Sequence, residues 1–229
     1  MDTTTTEEMQ SDRTLNIMVC YHSMANGKFD DESVPSLYEN IKAYANKPFN
    51  FYAISERMWK EYPEIKCWNL FYPHSKDRYW IKMELFRPDI PINEFFYLDL
   101  DTRIVGNIDW WWELDKPYMI KELNSSGKLE SGLMYITPQV KKIIWNSYIS
   151  DMQYLRKKHR RDGILIRTLY PDMYAIQDDY PGELKSYKIN KPTLEDPRCS
   201  VVCFHGQPFM QDVGWRYGQS NISGEGGTT

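Results

Sequence analysis

Short apolar runs of strand character alternate along this chain with longer stretches that carry one apolar face. The runs that predict strands are Leu15–Tyr21, Phe49–Ile54, a run beginning at Phe95, Pro117–Lys121, Ser131–Ile136, Leu184–Lys188 and Ser200–Phe204. Helical periodicity begins at about Ser33, covers Trp80–Phe86 and Asn107–Glu113, and extends from Pro138 to about His159. Strands that alternate with helices predict an α/β domain with a mixed, mainly parallel central sheet flanked by helices.

The polar stretches at the two ends lack this periodicity. Residues 1–13 are polar and acidic, and residues 220–229 are rich in Gly, Ser and Thr, so both are predicted to be disordered tails. The sequence therefore predicts a single domain over residues 14–219.

Composition narrows the range of partners only slightly. The chain has 28 Lys and Arg against 32 Asp and Glu, so its net charge of −4 gives no general attraction to nucleic acid or anionic membranes. It has 8 Trp and 17 Tyr, whose rings suit stacking on sugars or bases but also fill cores.

Targeting signals and cysteine spacing predict the compartment. No apolar segment approaches the roughly 18 residues that span a bilayer, and the first residues lack the basic and apolar regions of a signal peptide. The four cysteines, at 20, 67, 199 and 203, form no zinc-binding pattern and are predicted to be reduced thiols. A cytoplasmic protein is expected, or one in the host-cell cytoplasm if it is phage-encoded.

The most informative stretch is the aromatic-rich run from Phe95, which ends in two carboxylates one residue apart, Asp99 and Asp101. Side chains alternate between the faces of a strand, so both carboxylates are predicted to point the same way at the strand's exit. Neighbouring carboxylates repel each other unless a cation or a proton lies between them. The pattern therefore favours a divalent-metal site at the carboxyl end of a buried strand, with solvated turn carboxylates as the alternative.

Three other residues are candidates for chemistry, although each also has an ordinary structural explanation. His205 ends an apolar run before Gly206 and is either a metal ligand or a hydrogen-bonded structural histidine. Lys82 precedes the carboxylate strand and either faces solvent or neutralises a bound diphosphate. Asp162, before Gly163, is either a helix cap or a catalytic carboxylate.

Taken together, the motifs resemble a nucleotide-sugar glycosyltransferase of the GT-A type, closest to the glycogenin-like family 8 and its bacterial or phage-borne members. The resemblance extends from about Asn16 to Trp215. Its motifs in chain order are Tyr97-Leu98-Asp99-Leu100-Asp101-Thr102, Val105-Gly106-Asn107-Ile108-Asp109, Ser131-Gly132-Leu133-Met134-Tyr135-Ile136-Thr137-Pro138, Tyr180-Pro181-Gly182 with Ser186-Tyr187-Lys188, and Phe204-His205-Gly206. The fold that this resemblance implies is a GT-A (Rossmann-like) domain.

The resemblance also implies an activity and a set of site residues. Asp99 and Asp101 would bind Mn²⁺, or Mg²⁺ in its place, with His205 as the third protein ligand. The metal would bridge the diphosphate of a UDP-sugar. The implied donor-binding residues are Lys82, Asp99 and Gly206. Asp162 matches the first residue of the family's Asp-Gln pair beside the anomeric carbon, and the family transfers the sugar with retention of configuration.

Three positions depart from the family pattern. Glu130 stands where the family usually has Asn, and Gly163 replaces the Gln that normally follows Asp162. Phe209 occupies the position of an expected phosphate-binding lysine, which removes a cation from the diphosphate site. Arg216 and Lys128 are the candidates to replace that charge.

Several alternatives stay open at this stage. The departures at Phe209 and Gly163 are compatible with a catalytically impaired relative that only binds nucleotide sugars. A haloacid-dehalogenase-like phosphatase also has a strand that ends in Asp-x-Asp, but it carries Thr or Val where this chain has Arg103. The basic run 156–161 is typical of a solvated helix end or of contact with a polyanion such as nucleic acid. The acceptor is therefore left open among a glycan, a protein and modified nucleic acid.

Overall fold

The structure is a computed structural model that describes residues 13–22, 29–71, 78–124, 126–192 and 199–215. The tails predicted at the two ends lie almost wholly outside these described residues, and so does Arg216. The predicted disorder and the predicted replacement of charge by Arg216 therefore stay predictions.

The elements follow the predicted alternation of strands and helices. In chain order they are β1 (Leu15–Cys20), α1 (Ser33–Tyr44), β2 (Phe49–Ile54), β3 (Ile65–Trp68), a 3-10 helix (Arg78–Phe86), β4 (Phe95–Leu98), β5 (Thr102–Ile104), a 3-10 helix (Asp109–Glu113), β6 (Tyr118–Lys121), β7 (Leu129–Ile136), α2 (Pro138–Ser150), α3 (Met152–Lys158), α4 (Asp162–Leu169), β8 (Tyr174–Ala175), α5 (Ile176–Asp179), β9 (Leu184–Ser186), α6 (Tyr187–Asn190), β10 (Val201–Cys203) and a 3-10 helix (Met210–Val213).

The central sheet has seven strands in the order β3-β2-β1-β4-β7-β6-β8. Strands β3, β2, β1 and β4 are parallel to one another, and β8 is parallel to β6. Only β7 is antiparallel to its neighbours, β4 and β6. The predicted mixed, mainly parallel sheet is confirmed.

A second, three-stranded sheet in the order β5-β10-β9 was not predicted. Strand β5 begins directly after the carboxylate motif and pairs with β10, so that Thr102 lies opposite Cys203. The sequence gives little sign of β5 because only three residues form it. This small sheet carries the loop that contains His205 to the carboxylates.

Both faces of the central sheet are buried, as the alternation along β1 illustrates. Ile17 and Val19 belong to one apolar cluster, while Met18 and Cys20 belong to the cluster on the other face. Most of the abundant aromatic side chains lie in these clusters, including the fully buried Trp111. They stabilise the fold by removing apolar surface from water.

The long helix predicted from Pro138 to about His159 is wrong in one respect, because the structure divides it at Asp151. Asp151 leaves the helical region with φ −155° and ψ 62° and caps the next helix, where its carboxylate accepts a hydrogen bond from the Tyr154 amide. A short polar side chain can compete with the helix ladder in this way, so two helices replace one. The helix predicted over Trp80–Phe86 is a 3-10 helix.

Candidate functional site

The carboxyl ends of β1 and β4, together with the start of α4 and the loop after β10, surround a cavity of about 780 Å³. All six predicted site residues line it, namely Lys82, Asp99, Asp101, Asp162, His205 and Gly206. Ligands of open α/β sheets bind at this edge because parallel strands deliver their following loops there. The structure therefore brings together residues that lie as far as 124 positions apart in the sequence, from Lys82 to Gly206.

Asp99 is held in place by two side chains from neighbouring elements. The Tyr97 hydroxyl donates a hydrogen bond of 2.5 Å to Oδ1, and Lys82 Nζ lies 2.9 Å from Oδ1 and 3.0 Å from Oδ2. The Asp99 amide donates to the Gly132 carbonyl at 2.9 Å, which aligns the end of β4 with β7. The carboxylate is thus oriented before any ligand binds.

The Lys82 ammonium lies between two carboxylates. It contacts Asp99 and lies 3.5 Å from Asp162 Oδ2, and it also donates to the carbonyl and the hydroxyl of Ser131, each at 3.2 Å. Burial by itself would lower the pKa of Lys82, but the carboxylates of Asp162 and Asp99 outweigh that effect and raise this pKa above its usual value. Lys82 is therefore charged at neutral pH and links the two acidic residues.

Asp162 is the first residue of α4 and is only 3% exposed. Its Oδ2 accepts a hydrogen bond of 2.5 Å from the Ser131 hydroxyl, and the start of a helix favours a negative charge. Asp162 thus serves neither as a solvated turn residue nor as a simple cap. It is a buried carboxylate whose position is determined by Ser131 and Lys82.

Two of the departures from the family pattern, Glu130 and Gly163, touch each other. A Cβ on Gly163 would lie 2.9 Å from Glu130 Oε2 and 3.2 Å from the Ser131 amide nitrogen. Arg167 keeps the Glu130 carboxylate there, with Nη1 2.9 Å from Oε1 and 2.6 Å from the Leu129 carbonyl oxygen. The glycine leaves room for the glutamate, so the two departures form one coupled change in the cavity wall.

This contact gives a prediction for Gly163→Ala. Because the new methyl group would press on the Ser131 backbone and on the ion-paired Glu130, we expect a loss of about 1 to 2 kcal/mol in the free energy of unfolding. The same change at Gly132 is the control, since a Cβ there would make ordinary contacts of 3.7 and 3.8 Å. If chemical denaturation showed the same loss of unfolding free energy for Gly163→Ala and Gly132→Ala, the coupling of Gly163 to Glu130 would be contradicted.

Asp101 and His205 approach each other through the backbone. The Phe204 amide donates to the Asp101 carbonyl at 2.7 Å, which extends the pairing of β10 with β5. The His205 ring is exposed, and its Nε2 lies 2.9 Å from Ser186 Oγ. The register of two strands, rather than the sequence spacing, places His205 on the cavity that Asp99 and Asp101 also line.

The predicted metal ligands have the donor atoms that a metal ion needs, but their side chains are not arranged around one point. Two carboxylates and an imidazole on one cavity are donors that Mn²⁺ accepts. Among the described residues, however, no group of three or more His, Cys, Asp or Glu side chains is placed to hold one metal ion together. Asp99 is instead engaged by Lys82, so a metal ion would compete with that ammonium group. The ligand set stays a prediction.

The cavity wall also differs from the predicted one in its cations. Phe209 lines the cavity, whereas Lys128, a predicted replacement for its missing charge, is exposed and is not among the lining residues. Arg161, the last residue of the basic run 156–161, lines the cavity beside Asp162. The sequence did not indicate this position for Arg161, because the whole basic run has the composition of a solvated helix end.

None of the helices in the described ranges is both long enough and apolar enough to cross a lipid bilayer. All four cysteines are free thiols, of which Cys20, Cys199 and Cys203 are buried. Burial raises the pKa of Cys203, which lines the cavity beneath Asp101, so this thiol is neutral at physiological pH.

Comparison with known proteins gives similarities in structure alone. No protein-family model matches the sequence, and no curated protein does. The apo-form glycosyltransferase GlyE of Streptococcus pneumoniae TIGR4 superposes with a TM-score of 0.61 and 15% identity, over 90% of this chain and 60% of GlyE. The bifunctional glycosyltransferase WbbM superposes with a TM-score of 0.60 and 8% identity, over 86% of this chain and 47% of WbbM.

A third solved structure has a length closer to that of this chain. The galactosyltransferase LgtC, in complex with donor and acceptor sugar analogues, gives a TM-score of 0.58 and 10% identity over 85% of this chain and 88% of LgtC. The chain therefore spans most of LgtC but only 60% of the length of GlyE. These similarities show that the chain has the GT-A type of fold found in these glycosyltransferases.

Proposed function

We propose that this chain is a glycosyltransferase that moves a hexose from a UDP-sugar donor to an acceptor, with Mn²⁺ as its metal and with retention of configuration. The observation that carries the proposal is the cavity at the end of β4, where Asp99, Asp101, Lys82 and Asp162 converge on a GT-A type of fold. The titles of the similar structures name sugar transfer and, for LgtC, bound donor and acceptor analogues.

Asp99, Asp101 and His205 are the residues that would hold the metal ion. Bound there, a divalent ion supplies Lewis-acid stabilisation of the negative charge that develops on the diphosphate leaving group. The contribution of the chain itself is to orient these donors: Tyr97 positions Asp99, and Ser186 positions the His205 ring.

Asp162 and Lys82 are suited to the reacting sugar. Breaking the glycosidic bond leaves an oxocarbenium-like sugar, which a fixed carboxylate stabilises electrostatically in a site with little water. Asp162 provides that carboxylate, and the Ser131 hydroxyl keeps it in one orientation. Lys82 balances the charge of the two acids until a donor occupies the cavity.

A binding and turnover experiment tests the proposal. Isothermal titration with UDP should give measurable affinity that increases on addition of Mn²⁺, and a screen of UDP-sugars should release UDP from at least one of them. The anomeric configuration of the product, read by NMR, tests retention. Absence of UDP binding with and without metal would contradict the donor site altogether.

A catalytically impaired relative is the second candidate, and the cavity position of Phe209 favours it because the expected cation is absent there. The same experiment separates the two functions. An impaired relative would bind UDP and Mn²⁺ but release no UDP from any donor, whereas an active enzyme would do both. A DxD phosphatase would instead hydrolyse phosphate esters without any sugar donor.

Mn²⁺ is expected to increase the UDP affinity of the wild-type chain by a factor of about 100. Replacing Asp101 by Ala should abolish this increase, because a charged metal ligand is lost. Titrations of UDP with and without Mn²⁺ measure this factor. Asp172→Ala is the matched control, since that carboxylate is exposed in the turn after α4. Arg103 would be a poor control because its side chain is buried in β5. An unchanged metal effect would remove Asp101 from the ligand set.

A further inference from the structure

The segment Ser186–Lys188, which joins β9 to α6, lies alongside the loop that follows β10. Ser186 Oγ lies 2.9 Å from the Nε2 atom of His205. The ring of Tyr187 stacks on Phe204, with centroids 4.5 Å apart and planes inclined by 17°. Strands β9 and β10 are parallel, with Ser186 opposite Cys203, so the chain segments that follow these two strands leave the sheet side by side.

The third residue of the segment, Lys188, lies beside Gly206 of the loop after β10. Its ammonium nitrogen lies 3.2 Å from the position that a Cβ on Gly206 would occupy. Gly206 has φ +80°, lines the cavity and has no side chain, so the ammonium group can approach the backbone closely. Lys188 is exposed, and no carboxylate of the described ranges forms an ion pair with it.

The loop beside Lys188 lacks the positive charge that the family resemblance implies. Phe209 stands at the position of the expected phosphate-binding lysine, and its aromatic side chain lines the same cavity. A diphosphate needs cations around it because negative charge grows on the leaving group as the glycosidic bond breaks. An ammonium group beside Gly206 can form charge-assisted hydrogen bonds with phosphate oxygens.

We propose that Lys188 binds the diphosphate of the donor and replaces the lysine that is absent at position 209. This inference rests on the proposed function, since it concerns the same donor site. It assigns the Ser186-Tyr187-Lys188 segment a role in the site: Ser186 orients His205, Tyr187 fixes the loop, and Lys188 supplies the charge.

Lys188 reaches the cavity wall beside Gly206 and is not itself among the lining residues, whereas two of the cations that do line the cavity are engaged by carboxylates. Lys82 is engaged by Asp99 and Asp162, and Lys121 is paired with Asp178. Arg161 also lines the cavity, and it directly precedes Asp162, the residue assigned to the sugar. Arg161 is therefore the rival that the experiment has to exclude.

UDP affinity, measured by isothermal titration with and without Mn²⁺, tests the proposal in a graded series at position 188. We expect Lys188→Ala to weaken UDP binding by about 10-fold, Lys188→Glu to weaken it further, and Lys188→Arg to retain affinity within about 3-fold. Lys142→Ala is the control, because Lys142 is exposed on α2 and the charge change is the same. Thermal unfolding of each variant, expected to be unchanged, separates loss of charge from loss of fold.

Each outcome bears on a different statement. If the wild-type chain does not bind UDP, the proposed function fails and this inference fails with it. If wild type binds UDP but Lys188→Ala and Lys188→Glu bind it equally well, the role of Lys188 is wrong while the donor site stands. The same conclusion follows if Arg161→Ala alone weakens binding, or if Lys188→Arg loses as much affinity as Lys188→Ala.

Discussion

Replacing Lys82 by Met is expected to lower the free energy of unfolding by about 3 to 5 kcal/mol, because removal of one partner from a buried ion pair leaves charge without compensation. The variant would leave Asp162, which is almost fully buried, and Asp99 facing each other without the ammonium group between them. The hydroxyl and carbonyl of Ser131 would also lose a donor. Chemical denaturation followed by circular dichroism measures the loss.

The pH range of this effect follows from the raised pKa of Lys82. A lysine whose folded pKa lies above its unfolded value stabilises the fold fully below the unfolded value, which is 10.5, and loses that contribution as the pH rises through the folded value. The deficit of the Lys82→Met variant should therefore appear in full at neutral pH.

The exposed Lys142 provides the control, since Lys142→Met changes the same charge on the surface of α2. Lys82→Arg should recover part of the stability because it keeps the charge, although its fork does not match the point contacts of an ammonium group. If Lys82→Met were as stable as Lys142→Met, the ion-pair network would have no structural role. Donor binding by the Lys82 variants is interpretable only where they are folded.

Asp162→Asn should reduce the rate of UDP release from the sugar donor by at least about 100-fold, because a neutral amide stabilises an oxocarbenium-like sugar far less than a carboxylate does. UDP affinity should change by no more than about 3-fold, since Asp162 is assigned to the sugar and the amide oxygen can still accept from Ser131. Single-turnover rates and UDP titrations measure the two quantities separately.

The exposed Asp172 again offers a matched control, and Asp172→Asn should leave both quantities unchanged. A parallel loss of UDP affinity in Asp162→Asn would mean that the residue acts through Lys82 on the diphosphate rather than on the sugar. Full turnover in this variant would remove Asp162 from the reaction. The prediction requires a donor that the wild-type chain uses, and the donor screen supplies it.

Much of the fold is predictable from local patterns. Strands β1 and β2 begin and end within about one residue of their predicted limits, and helix α1 begins at the predicted Ser33, because the hydrophobic periodicity of these elements is strong. Strands β3 and β5 were not predicted, because each interrupts its few apolar residues with a charged one (Lys66 in β3 and Arg103 in β5). The division of the long helix at Asp151 was missed because a capping side chain resembles any other surface polar residue.

The candidate site shows the same division. The metal-ligand prediction for Asp99, Asp101 and His205 comes from residue types at the ends of apolar runs, and the resemblance gives Lys82 and Asp162 their predicted roles. The residues that position them were not predicted to do so. Ser131 and Tyr97 occur in motifs that the sequence singles out, but nothing local indicates which carboxylate each one contacts.

The sequence by itself determined the α/β alternation and the candidate residues for chemistry, since local periodicity and residue type carry that information. Only the tertiary structure decided which residues share a cavity or a contact. The pairing of β5 with β10 places His205 on the same cavity as the carboxylates, Lys82 is shared between Asp99 and Asp162, and Lys188 adjoins Gly206. These contacts join residues far apart in the chain. Strand register and burial set their distances, and no local pattern encodes either quantity.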